Sequence, residues 1–145
     1  MVVLKSFTKA YGLAGLRIGY AVGHRKRLAE MKRYQVPWSV NGIAQSAALA
    51  ALNDESHLCS TLQRVNRDQQ TLTEKLVSFG YSVHAPMSGF FLWKVGNATH
   101  WRTQLLQQGV LTRDCTSFGL PEFLRISTRT QIQNEKLIAA VHRTV

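Results

Sequence analysis

Lys9 has Ser6 and Thr8 just before it and Arg17 eight residues after, a grouping whose residue types and spacing could do chemistry. It follows a short apolar run, Val2-Val3-Leu4 with Ser6-Phe7, and precedes three closely spaced glycines, Gly12, Gly15 and Gly19. Hydroxyls, the amides of a glycine-rich turn and a guanidinium can converge on a phosphate group. A lysine held at the end of a strand can also present its amine as a nucleophile. Taken as a lone residue, a lysine on a loop is most often simply solvated. A second stretch, 113–127, carries Arg113 and Arg125. Strand alternation puts Phe123, Arg125 and Ser127 on one face and Leu124 and Ile126 on the other, so Arg125 can face a cleft while its neighbours pack. For Arg113, an ion pair with Asp114 is an equally good reading.

The elements that must position these side chains follow from periodicity. Val2–Leu4 reads as a short buried strand, and Arg17–Val22 as a second strand closed by Gly23. His24–Gln35 reads as a surface helix stopped by Pro37, and Asn41–Leu52 as an Ala-rich helix suited to close packing. Leu58, Leu62, Val65, Leu72, Leu76 and Phe79 form one apolar stripe at helical spacing, ended by Gly80. Beyond it, Tyr81–Ala85 and Phe90–Val95 read as strands around a Pro86-Met87-Ser88-Gly89 turn. Thr99–Gln108 reads as a helix, then Val110–Cys115 and Phe123–Thr128 as strands around Gly119-Leu120-Pro121. Thr130 to Gln133 is a capping-box pattern opening a last helix, with Ile132, Leu137, Ile138 and Val141 inward. The expected organisation is an α/β segment over 1–55, followed by a long connecting helix and a small α+β domain over 56–145.

The chain has 145 residues, 45% hydrophobic and 18% charged, with 10 Gly and 3 Pro, which excludes disordered and collagen-like classes. Two cysteines, Cys59 and Cys115, are too few for a disulfide framework, so a reducing cytoplasmic location is expected. No apolar run reaches the roughly 18 residues of a membrane span, and no metal-ligand spacing joins the five histidines. The net charge of +10 is uneven: residues 1–33 hold eight Lys or Arg against Glu30 alone. Such a basic segment calls for an anionic partner. Nucleic acid is disfavoured, because the three tryptophans are scattered and no recognition module is present.

Ser6-Phe7-Thr8-Lys9-Ala10-Tyr11-Gly12-Leu13-Ala14-Gly15-Leu16-Arg17-Ile18-Gly19-Tyr20 closely resembles the Schiff-base lysine signature of the fold-type I, class I/II pyridoxal-phosphate aminotransferases. It fits neither a Walker A nor a GxGxxG spacing. The resemblance implies that Lys9 carries the cofactor and that Ser6 and Arg17 bind its phosphate. The stretch from Arg113 to Ser127 is similar to the C-terminal region of the histidinol-phosphate aminotransferase and threonine-phosphate decarboxylase branch. There, the position of Arg125 binds the substrate carboxylate and that of Arg113 the other anionic end.

Members of that family are more than twice as long. The resemblance therefore implies the end of a cofactor-binding large domain followed by a whole small domain. It also implies that the carboxylate facing the pyridine nitrogen is not among these residues, since none of the eight acids precedes Glu30. The expectation is an aminotransferase-like chain, truncated, with impaired or no activity alone, acting on a small anionic amino acid when whole. Two strands taken from a large sheet would expose apolar edges, so self-association or a partner carrying the missing half is expected. A threonine-phosphate decarboxylase-like enzyme and a non-catalytic, partner-binding domain are the alternatives.

Overall fold

The computed structural model describes residues 1–85 and 89–144, so the turn expected at 86–88 lies outside the described residues. The chain divides into two units, Met1–Leu62 and Gln63–Val145, with the division falling inside one long helix.

In the first unit, β1 (Val2–Ser6) pairs antiparallel with β2 (Gly19–Gly23), in a register that sets Ser6 opposite Gly19 and Val2 opposite Gly23. The connection between them makes a 3-10 turn at Ala14–Leu16. β1 is not the buried strand its composition predicts: Leu4 is 74% exposed, and only Phe7, just beyond the strand, is fully enclosed. The sheet here has two strands only, and of β1 only Val2 is even half-buried, so apolar composition does not become burial. β2 starts at Gly19 rather than Arg17, because Arg17 adopts a left-handed conformation (φ 49°) that no strand accommodates. Helix α1 (Arg25–Lys32) stops short of Pro37. Helix α2 (Gly42–Asn53) is capped by Asn41, whose Oδ1 accepts from the Ala44 amide at 2.8 Å, and it buries Ala44 and Ala48.

Helix α3 (Glu55–Ser78) carries the apolar stripe, but the stripe is fully enclosed only at Leu72 and Leu76, while Leu62 is 45% exposed. Gly80, at φ +88°, ends it with paired bonds from the Gly80 amide to the Val77 carbonyl and from the Tyr81 amide to the Leu76 carbonyl. The second unit is built on an antiparallel sheet in the order β3-β4-β6-β5: β3 (Ser82–His84), β4 (Phe90–Lys94), β6 (Phe123–Ser127) and β5 (Arg113–Asp114). Helices α4 (Ala98–Gln107) and α5 (Gln131–Thr144) complete it. Leu76, Phe91, Trp93, Leu105, Leu124 and Val141 form the centre of its core. Trp93 meets Tyr81 and Trp101 edge-on at 5.0 and 5.1 Å.

Two expectations for this unit need correction. The strand expected over Val110–Cys115 pairs only at Arg113 and Asp114, which leaves Ile126 and Ser127 of β6 without a strand partner on that side. Ile132, expected to point inward, is 69% exposed; the buried residues of α5 are Asn134, Leu137, Ala140 and Val141. Among the described residues, no helix is long and apolar enough to cross a membrane.

Candidate functional site

Lys9 opens a tight turn, in which the Gly12 amide donates to the Lys9 carbonyl at 3.2 Å and Gly12 takes φ +67°. The turn is anchored by Phe7. Its backbone bonds both ways across the connection, to the Ile18 carbonyl at 3.3 Å and from the Leu13 amide at 3.1 Å, and its ring meets Tyr11 at 5.0 Å and Tyr20 at 5.3 Å. Burying one aromatic thus fixes a loop whose polar residues stay in water. Ser6 Oγ accepts the Thr8 amide at 3.1 Å and keeps its own hydroxyl proton to donate.

Arg17 enters β2 in its left-handed conformation, held by two bonds to the Ala14 carbonyl: its amide at 3.4 Å and its Nη1 at 3.1 Å. Close approach is built in at Gly19, where a Cβ would stand 2.6 Å from the Lys5 carbonyl oxygen. Ser6, Lys9 and Arg17 therefore gather at one end of the β1–β2 ladder, all exposed. Among the described residues, Lys9 Nζ has no hydrogen-bond or ion-pair partner. Glu30, the lone acid of the first 33 residues, is taken by Arg27 at 3.2 Å. This end of the ladder can take a phosphate and offer an amine.

Arg113 and Arg125 are in the second unit, as direct cross-strand partners on β5 and β6. Like charges in that register repel, a cost that a bound anion offsets. Each guanidinium leans on a phenyl ring, Arg113 over Phe118 at 5.1 Å and Arg125 over Phe90 at 5.3 Å, and Arg113 Nη2 also donates to Ser117 Oγ at 3.0 Å. Both line a cavity of about 720 Å³, to which Arg102 and Arg129 add two more guanidinium groups.

Asp114, in the same lining, is not salt-bridged to Arg113. Its carboxylate accepts from Thr116 Oγ1 at 2.6 Å, the Thr116 amide at 2.8 Å and Thr99 Oγ1 at 2.7 Å. These bonds, led by the Thr116 hydroxyl, hold its pKa down to about 2. Asp114 thus braces the turn after β5 and leaves Arg113 available.

Sequence reasoning missed several of these parts. Arg102 and Arg129 are separated from the Arg113–Arg125 stretch by a helix turn and a loop, and nothing in their spacing marks them. Asn134 is buried and holds both backbone groups of Arg129, accepting its amide and donating to its carbonyl, each at 3.1 Å. An Asn four residues after Thr130, near a helix start, was the available signal. Cys59 is exposed, whereas Cys115 is buried, and burial raises its thiol pKa and keeps it protonated.

Comparison with known proteins gives one consistent picture. The family model described as aminotransferase class I and II matches residues 1–141. A histidinol-phosphate aminotransferase of Halobacterium salinarum is 38% identical over 142 residues, covering 98% of this chain and 38% of the relative. Among solved structures, the histidinol-phosphate aminotransferase of Clostridium acetobutylicum matches with a TM-score of 0.90 and 26% identity, over 99% of this chain and 46% of that one. The L-threonine-O-3-phosphate decarboxylase of Porphyromonas gingivalis matches with a TM-score of 0.84 and 30% identity, again over 99% and 46%. The chain thus spans less than half the length of the proteins it is similar to.

Proposed function

The chain belongs to the class I and II aminotransferase family, and from that premise we propose that it carries the lysine and the arginines of a pyridoxal-phosphate-dependent, histidinol-phosphate aminotransferase-like enzyme. The observation that carries this reading is the unpartnered Lys9 amine on a turn locked by Phe7, with Ser6 and Arg17 at the same end of the ladder. Those residues suit the cofactor: Lys9 Nζ to hold it covalently, Ser6 Oγ and the free Arg17 N–H groups to bind its phosphate, and no local carboxylate to compete. On this reading the first unit corresponds to the end of the cofactor domain, and the second to the small domain.

Pyridoxal phosphate, when bound, supplies an electron sink for negative charge at the substrate Cα. With the cofactor bound, the Lys9 amine would be the base that takes the substrate Cα proton and later returns it. Arg125 fixes the substrate carboxylate or phosphate and Arg113 its other anionic end. A small anionic amino acid is the substrate class of the whole protein, and the cytoplasm its location. Decarboxylation would use the same side chains, and the similarity to the threonine-phosphate decarboxylase keeps it as the alternative.

Mixing the 145-residue chain with pyridoxal phosphate tests the reading. An imine absorbance band that borohydride fixes at Lys9, and that Lys9→Ala abolishes, is expected; no band, or a band unchanged in Lys9→Ala, refutes it. These residues alone are expected to turn over no amino acid, because no acid in the cradle can face the pyridine nitrogen.

A second reading rests on the surface of the first unit. Leu4, Val22, Ile43, Leu49 and Trp38 are all more than half exposed, an amount of apolar surface that a partner chain would cover. Light scattering coupled to size exclusion is expected to show association, with a second copy or with a segment supplying the cofactor-binding half. A well-behaved monomer at micromolar concentration overturns it.

A further inference from the structure

Arg64 and Arg67 stand one turn apart on α3. Together with Arg129, on the loop between β6 and α5, they line a groove of about 440 Å³ that reaches the start of α5 at Gln131. Like charges at this helical spacing repel, so a helix of unliganded surface would gain by interleaving acids. The groove holds one carboxylate, Asp68, already 3.9 Å from Arg67 Nε. Arg64 and Arg129 have no ion-pair partner among the described residues. The first turn of α5 contains no acid, and Thr130 Oγ1 bonds to Gln133 Oε1 at 3.2 Å instead of to a backbone amide. The amides of Gln131, Ile132 and Gln133 accordingly have no acceptor among the described residues. The backbone of Arg129 is clamped by Asn134, so this guanidinium springs from a fixed point.

We propose that this groove binds a polyvalent phosphate-type oxyanion such as pyrophosphate, held by the three guanidinium forks beside the start of α5 at Gln131. It is separate from the Arg113–Arg125 pair and independent of the cofactor reading. Arg129 lines both cavities, so Arg64 and Arg67 are the discriminating positions.

The test is calorimetric titration of inorganic pyrophosphate into the full chain carrying Arg102→Gln, Arg113→Gln and Arg125→Gln, which strip the other cavity of guanidinium groups except the shared Arg129, and Arg17→Gln, which weakens the lysine cradle as a phosphate site. One pyrophosphate per chain is expected to bind, and adding Arg64→Gln and Arg67→Gln is expected to weaken it by at least about tenfold, since each removes a charge-assisted contact. Absence of binding in the first variant, or unchanged affinity in the second, overturns the proposal. A second measurement needs no variant: the amide resonances of Thr130 and Gln131, which line this groove and not the other cavity, should move in the unaltered protein with added pyrophosphate at constant ionic strength. Resonances that stay put, while others shift, overturn it equally.

Discussion

Replacing Gly19 by alanine should dismantle the lysine cradle without touching any residue in it. The added Cβ would lie 2.6 Å from the Lys5 carbonyl oxygen, a backbone atom that cannot swing aside. Reaching ordinary contact at 3.4 Å requires β1 and β2 to part by about 0.8 Å. That separation falls where Ser6 pairs with Gly19 and Lys5 with Tyr20, the rungs that close the loop bearing Lys9. Overpacking of this kind costs about 1–3 kcal/mol, and among the described residues the ladder has five rungs and no further strand to share the strain.

If Lys9 reactivity depends on that closure, the apparent dissociation constant for pyridoxal phosphate should rise about tenfold, the equivalent of roughly 1.4 kcal/mol. The assay is titration of the imine absorbance band, with Gly15→Ala as the control. A Cβ at Gly15 meets nothing within 4 Å and its φ is not positive, so that change should be neutral or stabilise by about 0.4–1 kcal/mol. Gly19→Ala binding within twofold of the unaltered chain would show that the close approach does not position the amine.

Three further outcomes are expected. Asn134→Ala orphans the Arg129 amide and carbonyl and should cost the second unit about 1–3 kcal/mol, read from urea unfolding by the fluorescence of Trp93 and Trp101; a change under about 0.5 kcal/mol would contradict the clamp. Leu76→Ala, at a fully buried position, should cost about 2–5 kcal/mol, whereas Leu62→Ala on the same stripe, 45% exposed, should cost under about 1 kcal/mol; thermal melts giving equal losses would mean the stripe is covered along its whole length. Because the Asp114 carboxyl is held at about 2, below its ordinary 3.8, its bonds to Thr116 and Thr99 stabilise the fold fully above pH 3.8 and are lost as the pH falls through about 2. Acid titration of ellipticity should therefore show a shallower loss in Asp114→Asn, and identical curves would remove Asp114 from the acid response.

Much of the fold was legible in the chain because short-range signals specify it. Gly80 and Gly109 end helices where a left-handed residue is needed, and both take positive φ. The alternation of Phe123–Ser127 places Leu124 and Ile126 in the core and Arg125 outside it. Those signals fail where burial depends on a distant partner. Val2–Leu4 has the composition of a buried strand and lies open, and Val110–Cys115 has that of a six-residue strand and pairs at two positions. Periodicity says which face is apolar but not whether anything covers it.

The candidate sites divide along the same line. By itself, the sequence determined that Ser6, Lys9 and Arg17 share one glycine-punctuated connection, because contacts across so few residues follow from local backbone geometry. It also determined that Arg125 leaves the sheet on the side away from Leu124. Only the tertiary structure decided that Arg113 stands opposite Arg125, that Arg102 and Arg129 join them around one cavity, and that Asn134 holds Arg129 in place. These residues come from α4, β5, β6, the loop after β6 and α5, and their convergence depends on how the helices close over the core, which no local pattern encodes.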